Sequence, residues 1–405
     1  MMTISKPDID SKVKRDNAKP SRPASRAIGC RRLFAVACLA LSLICVVPIV
    51  LTSPGLHWHI DNYVRPPIIT PAPASKESDV IAFTCAKYGE YPRNRLFILY
   101  SDGSGLRQIN QHHFKRYGHI SWSPAGTWFV LSAKNIAFNL WGTASNEIYR
   151  VRFDGLEVRR LTYDHYHAFF PHWSDDDGSI SFVSIKGISF RGIHQISVNG
   201  DEISQTDNPH IEPRFWAHPF AWSSDNQKYA FSPYFFVAYG SNPDGSDLQE
   251  LEEMKDGIQG IEWSPNNEQI LYYDSYDKLI VYNVKTRMED FSLNMDVTLN
   301  ARWSPDGKWI AIVGQAENVN SGIYLYLLDV RSGDIQKVIE DDIEIRSSIS
   351  WSPDSEWIAF SNYDNLFGDE DKYTGRMFKI KRDGTALQQL RELDCRIGQL
   401  SWSPT

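Results

Sequence analysis

The sequence predicts an all-β fold: a seven-bladed β-propeller of four-stranded blades with 1+3 strand closure, preceded by one transmembrane helix. Three observations carry this expectation. An apolar run, Trp-Ser and a Pro-Asp-Gly-type turn recur together seven times, with the tryptophans at Trp122, Trp173, Trp222, Trp263, Trp303, Trp351 and Trp402. The repeat region begins with a unit lacking its first strand and ends with a first strand lacking the rest. A charge-free stretch of 20 residues precedes both.

The steps between tryptophans are 51, 49, 41, 40, 48 and 51 residues. A period of roughly 40 to 50 residues built from short strands is the signature of a radially repeating β fold. Within each unit the apolar run, the turn and a second apolar run such as Trp309 to Val313 read as a β-hairpin, since β-branched and aromatic residues suit strands and Asp, Asn and Gly suit turns. A second hairpin follows, with turns at Asp102-Gly103, Asp154-Gly155, Asn199-Gly200, Asp244-Gly245, Ser332-Gly333 and Asp383-Gly384. Blade four uses Lys285-Thr286-Arg287 instead. Four strands per radial unit make a propeller blade, whereas paired sandwiches do not repeat one hairpin phrase at near-constant spacing.

The ends of the repeat imply how the ring closes. Asp79 to Cys85 reads as a second strand without a first, followed by third and fourth strands at Leu96 to Tyr100 and Leu106 to Ile109. The terminal segment Leu400 to Thr405 is a first strand with nothing after it. Joined, they complete a seventh blade and remove two open sheet edges.

These repeats resemble those of the TolB-like propellers, and the resemblance covers residues 79–405. It implies a fold rather than a function, because the matching residues are turn and packing positions. The chain departs from TolB in counting seven blades rather than six, and in having only some 25 residues where TolB carries an additional α/β domain.

Residues 33–52 carry no charge and are long enough, at about 1.5 Å per residue, to span the ~30 Å core of a bilayer as a helix. Residues 1–32 hold nine basic and three acidic side chains, so the positive-inside rule places this tail in the cytoplasm and the propeller outside. A cleaved signal peptide would have a shorter apolar region and a small-residue cleavage site. The run is therefore read as an uncleaved signal anchor, and the proline-rich residues 53–78 as a stiff linker. Removing the tail's excess of six positive charges from the net −8 leaves about −14 on the remainder, which argues against a nucleic-acid partner.

Cys85 and Cys395 are the two cysteines outside the membrane region. Alignment of the blades puts them at neighbouring ends of the two halves of the split blade. The alternatives are a disulfide across the closure and two separate thiols; an oxidising location would permit the bridge.

Eight of the eleven histidines fall in three consecutive connections that precede Trp122, Trp173 and Trp222. They are interleaved with aromatic residues and bordered by a long insertion containing Trp141. Ligand-binding candidates from this sector are His113, His119, His165, His167, His172, His218, Trp216 and Trp141. Three readings fit: inter-blade packing, a recognition surface for a protein, peptide or glycan, or a transition-metal site. Oligogalacturonate lyases, seven-bladed propellers similar in repeat type, hold a metal through histidines, but no compact ligand spacing occurs here. No metal ligands are assigned and no cofactor is expected. The runs Asp175-Asp176-Asp177 and Asp369-Glu370-Asp371 read as a solvated turn and an exposed loop rather than cation sites. There is no Gly-x-Ser-x-Gly nucleophile elbow, nor room after the closing strand for a hydrolase domain.

The expectation is a membrane-anchored, extracytoplasmic, non-enzymatic binding or scaffold module. Its partner would sit on the loop-rich face. The alternative is a metal-dependent enzyme acting on an anionic saccharide, as the lyase resemblance would imply.

Overall fold

The computed structural model describes residues 79–87, 94–109, 114–135, 145–163, 167–186, 189–206, 219–232, 236–240, 246–253, 258–274, 278–316, 323–339, 343, 345–346, 348–365 and 373–405. All belong to Trp58–Thr405, the second of two units into which the chain divides. The basic tail, the expected anchor at 33–52 and the linker at 53–78 lie outside the described residues. Among the described residues no helix is long and apolar enough to cross a membrane.

The described elements are strands throughout, and they form seven antiparallel blades. Blade 1 contains Phe114–Trp122, Trp128–Asn135, Asn146–Arg152 and Val158–Arg160, hydrogen-bonded in that order. Blades 2, 3 and 6 repeat the arrangement. Blades 4 and 5 run together because one 16-residue strand, Met288–Trp303, serves both: its first half pairs with Lys278–Asn283 and its second half with Trp309–Ala316. The remaining sheet is ordered Arg396–Trp402, Val80–Ala86, Asn94–Tyr100, Arg107–Ile109, so the last strand of the chain lies beside the first three. Its register sets Ile81 opposite Trp402 and Cys85 opposite Ile397.

Seven buried apolar clusters lie between adjacent blades, one at each junction around the ring. This explains why second strands are apolar without alternation: both faces of each sheet are covered. Ile310 and Ile312 enter the cluster shared with blade 4, while Ala311 and Val313 enter the one shared with blade 6. The repeated tryptophan belongs to the same layer. Trp222 donates its indole N–H to the Phe170 carbonyl of the preceding blade at 2.8 Å, Trp351 to Arg302 at 3.1 Å, and Trp122 to Ser401 at 3.2 Å.

The serine after each tryptophan is buried and ties the turn. Ser304 Oγ accepts the Trp309 N–H at 3.0 Å and donates to Asp306 Oδ1 at 2.7 Å; Ser352 repeats this with Trp357 and Asp354, and Ser223 with Lys228 and Asp225. One residue of each turn adopts positive φ: Gly126, Asp177, Asn226, Asn267, Gly307 and Ser355. In blade 2 that residue is Asp177 rather than the adjacent Gly178, so Asp175-Asp176-Asp177 is the hairpin turn itself.

The split blade reproduces the same turn across two chain segments. Ser403 donates its N–H to the Val80 carbonyl at 2.8 Å, and Ser403 Oγ accepts the Val80 N–H at 3.0 Å, as the other serines do within one hairpin. At the other end Cys85 and Cys395 form a disulfide with Cα atoms 5.7 Å apart, linking positions separated by 310 residues. Both cysteines are buried in the cluster between blades 6 and 7.

Candidate functional site

The inner strands of all seven blades surround a lumen of about 430 Å³. An inner strand is the edge of its sheet, so the groups on its unpaired side need acceptors from elsewhere. In three blades the residue immediately before the repeated tryptophan supplies them. Ser121 Oγ accepts the Trp173 N–H at 3.0 Å, Glu262 Oε2 accepts the Trp303 N–H at 3.0 Å, and Ser350 Oγ accepts the Trp402 N–H at 2.9 Å. Each bond crosses from one blade to the next. Ser348 Oγ does the same two positions earlier, accepting the Leu400 N–H at 2.8 Å.

Across the seven copies the residue before the tryptophan reads Ser121, His172, Ala221, Glu262, Arg302, Ser350 and Ser401, and every one borders the lumen. The chemistry of this wall is therefore written inside the repeat. The sequence signal that identifies it is the variation at one position of an otherwise regular phrase, which attention to the loops between copies overlooks.

Arg302 and Glu262 come from adjacent blades, with Nη1 3.6 Å from Oε1; their side chains are 39% and 25% exposed. Burial raises the Glu262 pKa, and the nearby guanidinium and the Trp303 N–H oppose that rise. The His119 ring lies tilted at 41° against Phe170 with centroids 4.9 Å apart, and Phe170 is held at a φ of 51° where the inner strand of blade 2 is bulged. The imidazole is walled by protein and yet exposed to the lumen. Lost hydration and then the Arg302 charge push its pKa down to about 4, and lumen water moderates the first of these effects.

The described histidine candidates lie on strands rather than in the connecting loops where the phrase boundaries suggested them. His119 falls in Phe114–Trp122, and His167 and His172 in His167–Trp173, because these inner strands begin several residues before the Trp-Ser phrase. His119 and His172 reach the lumen wall. His172 Nδ1 lies 2.8 Å from Asn226 Oδ1 of blade 3, a pairing that makes Nδ1 the protonated nitrogen; burial lowers its pKa, and Asn226 partly opposes that. His167 is engaged elsewhere, its Nδ1 accepting the Asn146 N–H at 3.1 Å, with its pKa lowered by burial and by Lys134. The two rings are therefore in opposite tautomers. Metal binding through His167 Nε2 would move the proton to Nδ1 and break the bond to Asn146.

Among the described residues no group of three or more His, Cys, Asp or Glu side chains is placed to hold a metal ion. His113, His165, His218, Trp216 and Trp141 lie outside the described residues, as does Asp369-Glu370-Asp371.

No family model matches the chain. One curated relative, the uncharacterized protein Atu1656 of Agrobacterium fabrum, is 29% identical over 154 residues, covering 36% of this chain and 50% of that protein. The match thus spans half the relative's length. Among solved structures, a candidate 6-phosphogluconolactonase from Bacteroides fragilis aligns over 80% of this chain and 97% of its own at 11% identity, with a TM-score of 0.55. TolB from Acinetobacter baumannii aligns over 81% and 83% at 11% identity, with a TM-score of 0.43. The ring is a seven-bladed propeller. Likeness at these identities establishes the fold and leaves activity to the site.

Proposed function

We propose that this chain is a membrane-anchored, extracytoplasmic propeller that acts as a non-enzymatic binding or scaffold module for a protein, peptide or glycan. Residues 33–52 serve as the anchor with the basic tail in the cytoplasm, and no nucleic acid is bound. The sheet that joins Arg396–Trp402 to the three N-terminal strands closes the ring in a 1+3 arrangement.

The observation that carries the reading is the commitment of the lumen's polar side chains to the neighbouring backbone. Ser121, Glu262 and Ser350 on the lumen wall accept N–H groups of the next inner strand, as does Ser348 two positions before Ser350, and His172 is tied to Asn226. Withdrawing any of these four acceptors for acid–base or nucleophilic work would orphan a donor in the wall, and withdrawing His172 would orphan the Asn226 oxygen. A frame of this kind holds its surface rigid, which suits recognition.

Two measurements test the proposal. The full chain should sediment with membranes, resist alkaline extraction and be cut by protease from the outer side; a freely soluble chain would rule out the anchor. The purified propeller should contain no stoichiometric transition metal and melt at the same temperature with or without chelator. A bound metal lost on replacing His167 and His172 would instead favour an enzyme.

A further inference from the structure

We propose that the lumen is a binding site for a small organic carboxylate, held by the guanidinium of Arg302 with its body beside the His119–Phe170 pair. The proposal rests on the reading of the ring as a binding module and goes beyond it by adding a small-molecule ligand in the lumen. Cavities of ~300–1,000 Å³ accommodate small molecules, and at about 430 Å³ the lumen falls in this range.

Arg302 supplies the recognition group. Its side chain is 39% exposed and lines the lumen, and its ion-pair partner among the described residues is Glu262. The 3.6 Å separation exceeds the ~2.7–2.9 Å of a close guanidinium–carboxylate pair, and the other Glu262 oxygen accepts the Trp303 N–H. Glu262 therefore positions the guanidinium without saturating its fork of donors, and a carboxylate can take the remaining donors in bidentate fashion.

His119 reports the potential on the same cavity. Lost hydration, and after it the Arg302 charge, lower its pKa, and both side chains line the one cavity. Arg302 thus brings a positive charge to the wall that His119 shares, although the whole chain carries a net charge of −8. An anion between the two would be favoured by Arg302 and would let His119 donate a hydrogen bond; a cation would gain neither.

The test follows the His119 imidazole proton resonance of the metal-free propeller during titration with citrate, with glucose as neutral control. Citrate should shift the resonance saturably and glucose should not. Arg302→Gln should weaken citrate binding about tenfold or more, and Glu262→Gln, which keeps an acceptor for Trp303 while removing a like charge, should leave it equal or tighter. No saturable shift with citrate, an undiminished shift in Arg302→Gln, or equal weakening in both variants would overturn the proposal. Should Arg302→Gln fail to melt cooperatively, the direction of the Glu262→Gln effect decides. Failure here leaves a metal-free ring without carboxylate binding, whereas failure of the module reading shows as bound metal and turnover.

Discussion

Each residue of the Trp-Ser phrase has a separable physical task. The tryptophan fills the inter-blade layer, and in some copies its indole also bonds to the preceding blade. Trp351 has such a bond, to the Arg302 carbonyl at 3.1 Å, whereas the buried indole Nε1–H of Trp303 finds no acceptor among the described residues. Trp351→Phe should therefore cost about 1 kcal/mol more than Trp303→Phe in urea unfolding, and equal costs would refute the stapling role. Ser352→Ala removes the acceptor of the partly buried Trp357 N–H and should cost about 1 kcal/mol. The histidines fix a pH response. His119, His167 and His172 all have folded pKa values below 6.5, so between 6.5 and those lower values the unfolded chain binds more protons than the native one. Stability should accordingly fall as pH drops from 6.5 towards about 5. Urea midpoints across that window check this, with His172→Gln giving a shallower slope; a midpoint independent of pH would contradict it.

At the scale of strands and blades, the hairpins were legible because their turn and packing residues repeat. The doubly apolar run from Ile310 to Val313 announces a strand covered on both faces, and the structure divides it between two inter-blade clusters. Less legible were the starts of the inner strands. Phe114–Trp122 and His167–Trp173 extend upstream of the phrase through polar and histidine-rich sequence, because their length is set by pairing with the second strand rather than by hydrophobic pattern. The same limit hid the lumen wall. Nothing local marks Glu262 or Arg302 as neighbours; their approach depends on two blades 40 residues apart being adjacent in the ring. The split blade makes a prediction of its own. Reducing the Cys85–Cys395 bridge releases a long loop in the unfolded chain and should lower stability by about 2–4 kcal/mol. Non-reducing peptide mapping should recover the two cysteines in one linked fragment, and two free thiols would exclude the clasp.

For the whole molecule, stability depends on every blade having a neighbour on both sides. A propeller that loses one inner strand exposes an edge and bares parts of two clusters, so the ring should behave as a unit rather than as seven independent sheets. Closure by the final strand is the claim on which both the rigid lumen wall and the binding reading depend. Trp402 fills the last cluster and Ser403 completes the last turn. The most direct test is the urea unfolding of the propeller without residues 396–405, compared with the intact ring. Closure by this strand predicts loss of the single cooperative transition and of the native tryptophan fluorescence. A truncated ring that unfolds cooperatively at the same midpoint would contradict it.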